Sequence, residues 1–308
     1  MRLPEKSASR REAYVEVARL CSHDRPERKA YHSELRDWYT RGTSTGDRAR
    51  YNKLQSHVRQ STAYLFQSES VRFAATLPPQ YGDTFNHQLE TFRESVHRWW
   101  HDSGAGLTVS MGTEWAHVYP TSVFKVVPSA GHVVVSLVPD PADVGVMESD
   151  LPFNAQEAII HFFSYSLPRC RRLVAGHPKA DELLKLAIMS AETGGDDAIA
   201  GATLERIAFD RAGSPFDGGG TPIAGMVTPE AHIEAPRVLL AELWVVDDRL
   251  KDYRVVTMLA PGGEPMAVVW DRRNTVLPGI DPFVGLTLAP LPHYTWGLSL
   301  LDDLTALQ

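Results

Sequence analysis

With 308 residues, 43% hydrophobic and 22% charged, the chain has ordinary globular composition and length enough for one large domain or two modest ones. Its formal net charge of −7 excludes a protein that coats nucleic acid through bulk electrostatics. The two cysteines, Cys21 and Cys170, lie far apart without partner spacing. They exclude a disulfide scaffold or a Cys-based zinc site and suit a reducing compartment.

Charge is unevenly spread. Residues 1–60 hold 14 Lys/Arg against 8 Asp/Glu, which reads as the solvated face of basic helices. The N-terminus is charged from the start and lacks the apolar run of a signal peptide. Pro282 to Leu301 is uncharged and about as long as a membrane span, but Pro282, Pro290 and Pro292 break it. The expectation is a soluble protein.

Tyr14, Val17, Ala18 and Cys21 recur at helical spacing, and Tyr31, Leu35 and Trp38 continue the period in a second segment. After a break at Gly42 to Gly46, Tyr51, Leu54, Val58 and Leu65 mark a third helix. Phe85, Leu89, Phe92, Val96 and Trp99 mark a fourth, ending at Ser103-Gly104. Residues 107–138 are rich in Val, Thr, Phe and Tyr and predict a small antiparallel sheet. Ala158 to Ser166 predicts one more strand. Arg169 to Ala191 is helical, interrupted at Gly176-His177-Pro178, and 192–231 reads as loose chain holding the linker GSPFDGGGTPIAG. Arg237 to Val246, Asp252 to Ala260 and Pro265 to Asp271 then predict a three-stranded meander, turning at Gly262-Gly263. Proline-punctuated chain leads to Ser299, a helix N-cap with Asp302 at the capping-box position. The fold class is α+β.

Gly42-Thr43-Ser44-Thr45-Gly46 matches the G-x-S-x-G nucleophile elbow, but it lies between helices and lacks the strand that must precede it, so it reads as a connector. His97 and His101 have the i, i+4 spacing of paired metal ligands. The residues between them include no glutamate, Asp102 is the one nearby carboxylate, and no third ligand is identifiable. Gly104-Ala105-Gly106 has Val109 where a dinucleotide fingerprint needs its third glycine, and is expected to precede a strand. Gly218 to Gly220 lacks the Gly-Lys-Ser/Thr of a phosphate loop. The reading is of no catalytic residue, no metal and no cofactor. Arg237, Arg249, Arg254, Arg272 and Arg273 cluster in sequence among Asp247, Asp248, Asp252 and Asp271, as either a solvated face or an interface.

Two stretches resemble the portal proteins of tailed bacteriophages. Asn52 to Leu77 is similar to their early helix, which leads into a wing domain. Val276 to Gln308 resembles their passage from the clip domain into the ascending stem helix: Pro282-Phe283, a proline-rich strand (Pro290 to Pro292), Tyr294-x-x-Gly297-x-Ser299, and a helix running to Gln308. The order of elements carries the resemblance, and no single motif does. It implies a wing-like helical and β domain at 1–166, a stem-like helix and linker at 167–231, a clip-like β domain at 232–295 and the start of the ascending stem at 296–308. Such portals continue through a tunnel loop and a crown, roles that fall on no residue here.

The implied function is structural. A ring, commonly of twelve subunits, sits at one capsid vertex of the virion after assembly in the host cytoplasm. Double-stranded DNA passes through it during packaging and ejection. Its partners are the terminase large subunit, capsid or scaffold protein and a head–tail adaptor, with no membrane. The five arginines are a candidate clip interface, to a neighbouring subunit or a docked partner, and Tyr294, Gly297, Ser299 and Gln308 mark the passage into the stem. The alternatives are another head–tail connector or minor capsid protein, and a metal-dependent enzyme built on His97 and His101.

Overall fold

A computed structural model describes residues 4, 7–41, 53–67, 71–74, 85–129, 132–193, 237–275, 278–292 and 294–301. It is α+β: helices combined with two antiparallel sheets. The Gly42–Gly46 elbow match, the linker read at 213–225 with its Gly218–Gly220 run, Asp302 and Gln308 lie outside the described residues. The chain forms two compact units, each assembled from separated segments: residues 1–25, 143–147 and 157–279 in one, and 26–142, 148–156 and 280–308 in the other.

The first unit is a five-stranded sheet with helices on both faces. Its strands are β3 (Val144–Val146), β4 (Ala158–Ser166), β5 (Arg237–Asp247), β6 (Asp252–Leu259) and β7 (Ala267–Arg273), in that spatial order. Strict alternation along β4 sorts its residues. Ala158, Ile160 and Phe162 join Ala241, Leu243, Val245, Val256 and Met258 under α1 (Ser7–Ser22), which lays Tyr14, Val17, Ala18 and Cys21 onto them. The opposite face packs Val238, Leu240, Leu259 and Val269 against α6 (Leu167–Val174) and α7 (Ala180–Thr193) through Cys170, Val174, Leu183 and Ala187. The predicted helical stripe of α1 is therefore a core stripe, each member at most 2% exposed.

β4 pairs with β5 along its whole length, from Ala158↔Val245 to Ser166↔Arg237. The run beginning at residue 237 is accordingly no separate β domain. Its three strands extend a sheet that the supposed wing strand begins, because the Leu/Val-rich β5 has apolar residues for both faces and needs a neighbour on each edge. The predicted boundaries at 166 and 231 cut through that sheet.

The second unit holds α2 (Arg25–Arg41, mostly within it), α3 (Lys53–Leu65), α4 (Asn86–Asp102) and α5 (Ala105–Val118), with a sheet ordered β2–β1–β8: β1 Ser122–Ser129, β2 His132–Leu137, β8 Phe283–Leu286. The predicted sheet over 107–138 is corrected in its first half, where α5 stands. Thr and Val in Leu107 to Val118 favour a strand by composition, but packing overrides the preference. Gly112 of α5 lies flat against the Phe124 ring, where a Cβ would meet Cζ at 2.0 Å, and Ala116 is fully buried. A second core gathers Leu35, Tyr39, Val58, Val118, Tyr119 and Leu301.

Candidate functional site

The five candidate arginines divide: Arg237 stands at one end of β5, whereas Arg254 and Arg273 face each other across β6 and β7, beside Arg272, toward the end that Arg249 follows. Arg237 begins β5 and Arg249 follows its far end, about 35 Å apart for an extended strand of that length. Arg254 is committed internally: its Nε donates to Asp247 Oδ2 at 2.8 Å and a terminal nitrogen to Asp271 Oδ1 at 2.7 Å. Tyr14 hydroxyl donates to the other Asp271 oxygen at 3.1 Å, which ties α1 to β7. Arg254 and the Arg249 backbone N–H hold the Asp247 carboxyl below its usual range, although burial opposes them. Arg237 Nε donates to Ser164 Oγ at 3.0 Å, and the Arg272 guanidinium covers the Trp270 ring at 4.8 Å. Arg273 is exposed. The separation of Arg237 from the other four follows from strand length, which a cluster in sequence hides.

The two histidines part company as well. His97 Nε2 accepts from the Phe73 backbone N–H at 3.4 Å, and its ring meets Phe73 edge-on, while His101 is exposed at the end of α4. Among the described residues no group of three or more His, Cys, Asp or Glu is placed to hold a metal ion. Gly104, with φ +70°, stands before a helix, not the expected strand. The fingerprint reading still lacks its third glycine, and α4, not a strand, precedes it. No described helix is long and apolar enough to cross a membrane.

The Tyr294-to-Ser299 passage, by contrast, is built. Thr295 N–H donates to Ser149 O at 2.7 Å, and its hydroxyl donates to Leu151 O at 2.5 Å. Trp296 is 4% exposed, lies edge-on to Phe153 at 5.4 Å, and takes the Arg28 guanidinium over its ring at 4.4 Å. Gly297 N–H donates to Thr121 Oγ1 at 3.1 Å. A Cβ on Gly297 would meet Thr287 Cγ2 at 2.2 Å and the carbonyls of Ala289 and Pro120 within 3 Å, so only glycine fits. Ser299 hydroxyl donates to Val118 O at 2.6 Å and accepts from Leu301 N–H at 3.1 Å, the bond an N-cap serine makes to the second residue after it. Tyr294 is the outward member, 44% exposed. Sequence pattern identified the glycine and serine here but not Thr121, Thr295 or Trp296, which carry no motif.

Beside this passage, β8 borders a groove of about 470 Å³ lined by Leu151, Phe153, Gly285, Leu291 and Tyr294 among others. Asp281, at the head of β8, gives an oxygen to Phe283 N–H at 2.9 Å, and burial raises its carboxyl above the usual range. Compared with protein-family models and with curated proteins, the chain matches none of either.

Proposed function

We propose that the chain is a subunit of a tailed-bacteriophage portal, the ring at one capsid vertex through which double-stranded DNA is packaged and ejected. The observation that carries the reading is the Tyr294-to-Ser299 passage. The segment in which the resemblance is densest is also tightly specified, with Gly297 admitting no side chain and Ser299 capping the turn at Leu300–Leu301.

The order of elements supports the same reading: early helices, small antiparallel sheets, then the proline-rich passage. In this proposal the five-stranded sheet belongs to the body of the subunit, and the clip is not placed on residues 237–273. Charge also supports it. Twelve copies would carry about −84 formal charges, which disfavours tight phosphate binding and suits a channel along which DNA slides. In the proposal the terminase large subunit, capsid or scaffold protein and a head–tail adaptor are its partners, and the subunit itself catalyses nothing.

Light scattering and negative-stain electron microscopy of the purified protein test it. Rings with a central channel, near twelvefold, are the expected result. Monomers alone at high concentration would overturn it.

A further inference from the structure

From Ala158 to Ala180 the chain holds no aspartate or glutamate but carries Arg169, Arg171, Arg172 and Lys179, within a protein of net charge −7. α6 gathers the three arginines. It leaves β4 at Ser166 and crosses the sheet: near its far end Leu173 O accepts Trp270 Nε1 of β7 at 2.9 Å. Eight helical residues span about 12 Å, close to the three strand spacings, about 14 Å, that separate β4 from β7. Cys170 and Val174 are buried against the sheet, while Pro168, Arg169, Arg171, Arg172 and Ala175 are exposed.

β7 adds a fourth guanidinium to this face. The register shift opposite Thr257 and Met258 turns both Val269 and Trp270 toward α6, and Arg272, two residues on, lies over the Trp270 ring at 4.8 Å. At the start of α6 the Arg169 guanidinium covers the Tyr165 ring at 3.7 Å. Such stacking holds a guanidinium plane in place and leaves its N–H edge able to bond. All four arginines are exposed and have no carboxylate partner among the described residues, whereas Arg254 is paired with two. The acids that follow, Asp181 and Glu182, open α7, and Glu182 is matched by Lys179 at 3.2 Å.

We infer that Arg169, Arg171, Arg172 and Arg272 form a contact for the phosphate backbone of a nucleic-acid duplex. The outward residues of α6 include no large apolar side chain, so the surface lacks the anchors of a protein interface and the apolar face of a membrane-surface helix. The Tyr165 and Trp270 rings are covered by guanidiniums, which leaves no platform for the unstacked bases of a single strand. What remains is a row of forked donors suited to phosphate oxygens. The contact is local and sequence-independent, and its strength falls steeply with salt; the chain's net charge of −7 keeps it weak. It goes beyond the ring reading and does not need it, since all four residues belong to one chain.

Fluorescence anisotropy with a labelled 20-base-pair DNA duplex tests it. Wild-type protein is expected to bind duplexes of unrelated sequence alike, with log K falling against log salt at a slope of roughly −3 to −4, about −0.9 for each phosphate engaged. Arg171→Gln with Arg172→Gln, at two positions that touch no ring, should roughly halve that slope and weaken binding at least fivefold in 50 mM salt. Adding Arg169→Gln and Arg272→Gln should abolish binding, with circular dichroism verifying the fold; the double variant decides the matter if the quadruple one unfolds. Arg98→Gln, which removes one charge from the other unit, should leave the affinity unchanged. The inference is overturned by no duplex binding of wild-type protein in 50 mM salt, by a double variant that binds like wild type, or by an equal loss in Arg98→Gln. Tighter binding of the single strand, of polyglutamate or of phosphatidylserine vesicles would overturn it as well. Rings that ignore the duplex would sink this contact alone, and monomers that bind it through α6 would sink the ring alone.

Discussion

At Gly297 a methyl group would overlap Thr287 and two carbonyl oxygens, and at Ser299 one hydroxyl serves Val118 O and Leu301 N–H together. Gly297→Ala is expected to cost about 1–3 kcal/mol through overpacking, and Ser299→Ala a similar amount through the buried groups it strands. Tyr294→Ala, at an exposed position, should stay within about 0.5 kcal/mol of wild type. Urea midpoints measure all three, and an unshifted midpoint for Ser299→Ala would mean that the turn is held elsewhere. A second buried pair makes stability depend on pH. Asp140 Oδ1 lies 2.8 Å from Nδ1 of His32, which is 4% exposed, and the same oxygen accepts Ala142 N–H at 2.9 Å. Burial alone would raise the Asp140 carboxyl, but the His32 hydrogen bond and charge, Ala142 N–H and Lys29 outweigh it and hold it below the usual range. A folded pKa below the unfolded value of about 4 stabilises the protein above pH 4, and the contribution fades as pH falls through the folded value. Asp140→Asn should therefore lower stability at pH 7 and flatten its decline below pH 4. Urea titrations from pH 7 to pH 3 would show equal slopes for both proteins if the carboxylate plays no such part.

Between residue and element, legibility depended on whether an apolar pattern met its own packing partner. The α1 stripe, Tyr14 to Cys21, was readable because a helix that covers a sheet must show one continuous apolar face. β4, β5 and β6 were readable from alternation and β-branched content, and the reversal at Gly262 and Gly263 from two glycines that indeed take φ of +63° and +87°. α5 was not, since the information that makes it a helix lies in Phe124 and in the sheet beneath it, distant in sequence from Gly112. α4 shows the converse: its period was plain, yet Phe92 is 60% exposed, and its buried residue is Trp100, which was not on the predicted stripe. Periodicity reports that a helix exists but not what covers it. The passage at Tyr294 was legible for a related reason: Gly297 and Ser299 are demanded locally, whereas Thr121 and Thr287, whose hydroxyls meet at 2.9 Å, are brought together only by β1 pairing with β8.

For the whole molecule, the pairing of β4 with β5 determines what can be a separate part. Nine residue pairs join strands that stand 70 positions apart in the sequence, and the flanking strands and helices bury both faces of the joint. An independent β domain beginning after residue 231 would survive removal of everything before it. A sheet shared across the intervening segment would not, because losing β4 exposes the edge of β5 together with Leu240, Leu243 and Val245, all fully buried. A site-specific protease sequence substituted for Gly218–Gly220 separates these cases. After cleavage the two fragments should co-elute under native conditions and part only in denaturant, unfolding together in one transition. The fragment from residue 221 onward, made alone, should aggregate. Fragments that separate on a native column, with the C-terminal piece folded, would restore the independent domain and return the clip assignment to residues 232–295.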